Sequence, residues 1–139
     1  MLEAISAREI AVSGLKAQRV RMNVIANNIS NAMTTRTEAG GAFRRQMTIL
    51  RGNQIRPTVD PRRFGVKAKR VISDASPLRR VYDPAHPDAD ADGYVDYPNV
   101  DLSVEMVNLV SAQRAYEANV VVIQSGRRMT QKALEIIQA

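Results

Sequence analysis

The sequence predicts a mainly α protein. Long N- and C-terminal helices are expected to pair as a coiled-coil-like hairpin, with a small β-rich excursion between them. Three observations carry this expectation. Apolar residues recur every three and four positions at both ends of the 139-residue chain, and they alternate in the middle between Gly and Pro punctuation. The charge is blocked along the chain rather than mixed: 12 basic and 3 acidic side chains over 33–82, then 6 Asp with no Lys or Arg over 83–101.

Residues 1–33 lack Pro and step through Met1, Ile5, Arg8, Val12, Leu15, Arg19, Met22, Ala26 and Ile29. Most of these positions are apolar, which is a heptad seam. Gly14 lies inside and costs about 1 kcal/mol relative to Ala, so this helix is expected to lean on a partner.

In the middle, 43–50 and 64–72 alternate imperfectly, with Phe64, Val66, Ala68 and Ile72 on one face, and 79–82 is a third short candidate strand. Gly40-Gly41, Gly52-Asn53, Pro57, Asp60-Pro61 and Ser76-Pro77 separate these runs, giving a small basic β module over 34–82. Pro84, Pro87 and Pro98 exclude a continuous helix, and 83–99 reads as an acidic extended connector.

The second ladder runs through Met106, Leu109, Gln113, Tyr116, Val120, Ile123, Arg127, Thr130, Leu134 and Ile137. Asp101 or Ser103 suits its N-cap, Glu105 its first turn and Lys132 its last. Residues 1–33 and 100–139 then form one core of paired helices. Pairing still leaves Ile10, Ala17 and Val24 on one helix and Val107, Val110 and Val121 on the other, and two surplus faces call for further partners.

Composition excludes several functions. With no Cys and one His, a disulfide framework, a thiolate site, a cysteine nucleophile and a multi-His metal centre all fall away. His86 lies in a Pro-rich stretch without a local orienting partner, and none of the Ser residues has a nucleophile-elbow context, so neither an enzyme nor a cofactor is expected. The N-terminus shows neither a cleavable signal pattern nor a membrane span. The net charge of +6 suggests a polyanion, but the chain carries its own acidic complement and no nucleic-acid motif. A basic nucleic-acid-associated protein is therefore an alternative reading only. A second alternative rests on Asp88, Asp90, Asp92, Gly93, Val95 and Asp96, which fit the first nine positions of an EF-hand loop. Position 12 is Asn99 instead of Glu, and Pro84 and Pro87 preclude an entering helix, so a solvated acidic turn is the expectation.

Asn23, Asn27 and Asn31 stack at i, i+4 and i+8, a row of donors and acceptors suited to fixing register against a neighbouring helix. Helix termination accounts for Asn31 alone. The candidate assembly residues are Ile5, Val12, Leu15, Met22, Asn23, Asn27, Asn28 and Asn31 on the first helix. On the second they are Met106, Tyr116, Asn119, Val120, Ile123 and Leu134.

The run Asn27-Asn28-Ile29-Ser30-Asn31-Ala32 behind a heptad helix resembles the signature of bacterial flagellar axial proteins. Val81-Tyr82-Asp83-Pro84-Ala85-His86-Pro87 and Gly93-Tyr94-Val95-Asp96-Tyr97-Pro98-Asn99-Val100-Asp101 narrow the likeness. With Glu105-Met106-Val107-Asn108 and the run from Ala112 through Tyr116 to Asn119, they are similar to proximal-rod proteins of the FlgC type. The resemblance covers both ends and about half the chain; the β module matches only in position, and its Arg-rich stretch is not a hallmark of the family. It implies a structural subunit of the flagellar basal-body rod, exported without a cleaved signal peptide. Its implied partners are other rod proteins and copies of itself, with the membrane-ring protein and hook–basal-body adaptor proteins as further neighbours. No nucleic acid, membrane span or small-molecule substrate is implied.

Overall fold

The computed structural model describes the backbone of residues 2–55 and 64–138 and the side chains of 7–55 and 64–137. Helix α1 spans Leu2–Ser30 and helix α2 spans Leu102–Gln138. Between them lie β1 (Gln46–Gln54), β2 (Phe64–Ser73), β3 (Arg79–Tyr82) and β4 (Tyr94–Tyr97). The strands form two separate antiparallel hairpins, β1–β2 and β3–β4. The expected helical hairpin with a small β excursion is the observed architecture.

Two contacts set the register of the helices. Asn28 Nδ2 donates to Glu105 Oε2 at 2.9 Å, and a Cβ on Gly14 would stand 2.7 Å from Asn119 Oδ1. Fourteen residues separate the contacts on each helix, two heptads of an antiparallel pair. Gly14 therefore costs helix propensity in exchange for close approach, which explains the partner that its position called for.

The packed ladder differs from the expected one by a single residue on α1. Ala11, Ile25, Asn28 and Ala32 are buried, with Gly14, Gln18 and Arg21 half-buried between them. On α2 the enclosed positions are Glu105, Leu109, Ala112, Tyr116, Asn119, Ile123, Gly126 and Thr130. Half of these match the expected ladder, and the other half stand one residue earlier, where the chain carries small or polar side chains. Ala17, assigned to a surplus face, is instead buried at 2% exposure.

A second face of α1, sharing only Val12 with the expected ladder, serves another contact. Hairpin β1–β2 folds back along α1, so that Val12, Ser13 and Ala17 share a groove with Ile55, Val66 and Ala68. Ser13 Oγ donates to Ile10 O at 2.6 Å and accepts from Val66 N at 3.0 Å, pinning the hairpin. A Cβ on Gly65 would meet Ser13 Oγ at 2.4 Å and Ile55 Cδ1 at 2.6 Å. Because Ser13 is held by two hydrogen bonds, it cannot yield cheaply. Gly65→Ala is expected to cost about 1–3 kcal/mol in urea unfolding, an overpacking penalty, whereas a Cβ on Gly52 would meet only Phe64 Cδ1 at 4.0 Å and Gly52→Ala is expected to cost less.

The strand boundaries also differ from expectation. Strand β1 begins three residues later than the alternation and runs four further, with a bulge between Ile49 and Leu50. Strands β2 and β3 lie where expected. The acidic 83–99 segment is not simply extended. Val95 pairs with Val81 and is buried at 1% exposure, so β4 closes a hairpin that straddles the expected module boundary. The basic residues Arg56, Arg62 and Arg63 and the turns at Pro57 and Asp60-Pro61 lie outside the described residues.

Candidate assembly interface

Among the described residues, the outer face of α2 carries a run of uncovered apolar side chains. Met106 is 57% exposed and Val107 71%, and Val110, Val121, Val122 and Met129 continue the surface. At the C-terminal end Leu134, Ile136 and Ile137 are also exposed. The helix lengths explain that end. Helix α2 has 37 residues against 29 in α1, so it overhangs its partner by about 12 Å at 1.5 Å per residue. On α1, Ile10 and Val20 remain partly exposed. A monomer carrying such a stripe is incomplete in the hydrophobic sense.

Behind this surface lies a polar junction where four parts of the chain meet. Asn28 is fully buried, and its amide pairs with the Gln46 backbone in both directions. Nδ2 donates to Gln46 O at 2.8 Å and Oδ1 accepts from Gln46 N at 2.8 Å. The same Nδ2 also bonds Glu105, and only an amide supplies this combination. Glu105, 1% exposed, accepts from Arg45 Nε at 2.8 Å and lies 2.8 Å from Nη2 on the same carboxylate oxygen. Arg45 reaches Asp74 at 3.5 Å, and its backbone N–H donates to Asn99 Oδ1 at 2.8 Å. Asn99 Nδ2 in turn donates to Ser76 O at 3.2 Å. A buried carboxylate is tolerated here because it is both paired and hydrogen-bonded. Burial works against the charged Arg45 guanidinium, but hydrogen bonds and Coulombic attraction from Glu105 and Asp74 outweigh it and raise its pKa.

The N-cap of α2 is Asp101, whose Oδ1 accepts from Ser103 N at 2.8 Å and Val104 N at 3.2 Å. Glu105, expected only to complement the first turn, turns inward. Lys132 falls short of the last turn, which has no basic residue.

The sequence candidates divide among these surroundings. Met106 and Leu134 lie exposed on α2, while Tyr116, Val120 and Ile123 are half-buried along it. Val12, Leu15 and Met22 are half-buried on α1. Asn119 faces Gly14 and donates to Ala115 O at 2.7 Å, so it is engaged within the subunit. Asn28 is a correction: its side chain is spent inside the chain and offers nothing to a neighbour. Asn23 and Asn27 are exposed, and Asn27 donates to Gln46 Oε1 at 3.2 Å. Asn31 folds back on Asn27, donating to its carbonyl at 2.9 Å and its side-chain oxygen at 3.1 Å, so it caps the helix end. The side chain of Ile5 lies outside the described residues. Sequence reasoning missed Arg45, Gln46, Asp74 and Asn99. The available signal was Asn28 and Glu105 on ladder positions one residue before the apolar ones.

The acidic loop uses its carboxylates elsewhere than on a common centre. Asp88 accepts from Thr35 Oγ1 at 2.8 Å and lies 3.6 Å from Arg36. Asp90 accepts from Tyr94 N at 2.8 Å and Asp92 N at 2.9 Å, and pairs with Arg80. Gly93 supplies the positive φ of 82° that this turn requires. Among the described residues no three acidic or His side chains converge on a metal position, and the Ca²⁺ alternative has no support. Backbone hydrogen bonds, chiefly from Tyr94, hold the Asp90 pKa below the usual value, and the Ser76 hydroxyl, joined by the Ser76 backbone N–H, does so for Asp74. Depressed carboxylate pKa values stabilise the fold above the unfolded-state value near 3.9 and lose that contribution as pH falls through the folded-state value. Stability is therefore expected to hold from neutral pH to about pH 4 and to drop below it. Asp90→Asn flattens that drop in acid-titrated circular dichroism.

Residues 9–36 match the family model described as flagella basal body rod protein. Residues 91–136 match that of the flagellar basal body rod FlgEFG protein C-terminal region. The flagellar basal-body rod protein FlgC of Borreliella burgdorferi is 45% identical, covering 96% of this chain and 97% of the relative. That of Bacillus subtilis is 39% identical over 97% and 99%, and that of Escherichia coli O157:H7 is 40% identical over 94% and 95%. The two family matches coincide with the paired helices and the segments that enter and leave them.

Proposed function

The chain belongs to the FlgC family of flagellar basal-body rod proteins, and we propose that it builds the rod by burying the outer face of α2 against neighbouring axial subunits. It is a structural subunit of the proximal rod, and its work is mechanical: helices pack into a tube that transmits torque and encloses a channel. The observation that carries the mode of assembly is the uncovered stripe through Met106, Val107 and Val110, continued by the overhang at Leu134, Ile136 and Ile137. Burying apolar area at about 25 cal/mol per Å² makes this stripe the main source of association energy. Val120 flanks it and Ile123 lies in the helix seam, while on α1 Val12 lines the hairpin groove, Leu15 and Met22 are half-buried, and Asn23 and Asn27 present exposed amides. Copies of this chain and other axial subunits are its partners, with the membrane-ring protein and adaptor proteins beyond them. The chain reaches the basal body by export without a cleaved signal.

An image reconstruction of intact hook–basal bodies tests the arrangement. The expected result seats Val107 and Val110 against a neighbouring subunit. A rod in which these side chains face an open channel or bulk solvent overturns it.

A further inference from the structure

The two hairpins of one subunit carry opposite charge. Hairpin β1–β2 runs along α1 from Gln46 at Asn28 to Val66 at Ser13, which carries Arg51 and Lys67 to the Ser13 end. Strand β2 meets α1 at Ser13, and Lys67 lines the same groove as Lys16. Arg51 stands directly across from Lys67 in the strand register, and Lys69 follows two residues on; all three are exposed. Like charges in direct cross-strand apposition destabilise a hairpin. Among the described residues no carboxylate pairs with Arg51, Lys67 or Lys69.

The acidic β3–β4 loop instead packs beside the far end of α1, where Asp88 meets Thr35 and Arg36. Arg80 engages Asp90. Asp83, Asp92 and Asp96 have no ion-pair partner among the described residues, although Asp96 stands across from Arg80 in the register. Between Ser13 and Ser30 the helix alone advances about 25 Å. That is about three Debye lengths at physiological salt, so Arg51 and Lys67 at the Ser13 end are screened from the acidic loop of their own copy.

We propose that the basic face of β1–β2 docks on the acidic β3–β4 loop of a second copy, head to tail. Such a contact is heterologous, so it repeats from copy to copy, as a ring where the rotation closes and as an open helical array where it does not. The inference rests on the rod reading and adds to it an electrostatic contact that sets polarity, separate from the apolar α2 face. Charge complementarity of this kind directs orientation more than it adds affinity.

The test uses the full chain in two charge-reversed forms, Lys67→Glu/Lys69→Glu and Asp83→Lys/Asp92→Lys. Sedimentation of concentrated wild-type protein is expected to show self-association at low salt that fades as salt rises past physiological strength. Each reversed form alone is expected to associate about tenfold more weakly, and an equimolar mixture of the two to recover wild-type association, because each then offers the other a complementary end. Wild-type behaviour in either reversed form, failure of the mixture to recover, or binding of random DNA in place of self-association overturns the proposal. The rod reading is judged separately, by whether the chain is incorporated into basal bodies. Unaltered sedimentation of the reversed forms with normal incorporation rejects the head-to-tail contact alone.

Discussion

Replacing Arg45 by Met is expected to destabilise the isolated subunit by about 3 kcal/mol, because it leaves the buried Glu105 carboxylate without its cation. The estimate sits at the low end of the usual range because Arg45 keeps about a quarter of its side chain in water. Glu105→Gln is expected to cost less, since a glutamine oxygen still accepts from Asn28 and Arg45 retains Asp74. The informative variant is the pair. Arg45→Met/Glu105→Gln removes the charge together with its partner, so its destabilisation should fall short of the two single values summed by more than about 1 kcal/mol. Urea unfolding of the four proteins measures this coupling. Strict additivity would mean that the two side chains do not communicate, contrary to their 2.8 Å contact.

The second large effect concerns assembly and leaves the monomer almost untouched. Val107→Asp places a carboxylate on the uncovered face of α2, where the side chain is 71% exposed. Val and Asp have similar helix propensity, and surface changes usually fall within about 0.5 kcal/mol, so denaturant unfolding of the isolated chain should barely move. In the rod the same carboxylate would be buried against a neighbour without a partner, at several kcal/mol per copy. Cells whose only copy carries Val107→Asp are expected to be non-motile, with the chain missing from purified basal bodies, while Val107→Ala cells retain swimming. Normal motility of the Asp variant would refute burial of that face.

Much of the architecture was legible in the sequence because periodicity reports burial directly. Helix α2 begins after Asp101, one of the two caps the sequence offered, and β3 occupies the four residues expected. What periodicity could not say is which partner covers each stripe. On α1 the conspicuous apolar ladder of Val12, Leu15 and Met22 flanks the helix contact, whereas the seam itself is lined by Ala11, Gly14, Ile25 and Asn28. Small and polar residues carry little hydropathy signal, yet they are what allows two backbones to approach. The junction was less visible still. Residues 28, 45, 74, 99 and 105 are remote in sequence, and an isolated Arg or Glu reads as solvated until tertiary structure brings its counter-charge to it. The Asn row illustrates the same limit, because spacing grouped Asn23, Asn27 and Asn31 while the decisive amide was Asn28 between them.

The antiparallel register also governs the order in which this subunit can take shape. Asn28 bonds a residue 77 positions further on, and Gly14 awaits Asn119, from the final quarter of the chain. A chain emerging N-terminus first can lay hairpin β1–β2 on α1 once Ser73 has been delivered, but the seam face of α1 waits for α2 at the far end of the chain. Closing so long a loop carries an entropic penalty that local contacts do not offset. The helix seam therefore closes last, because its two register-setting contacts become available only when α2 is present. Delayed closure of the seam is a property of the connectivity itself and needs no separate unfolding device.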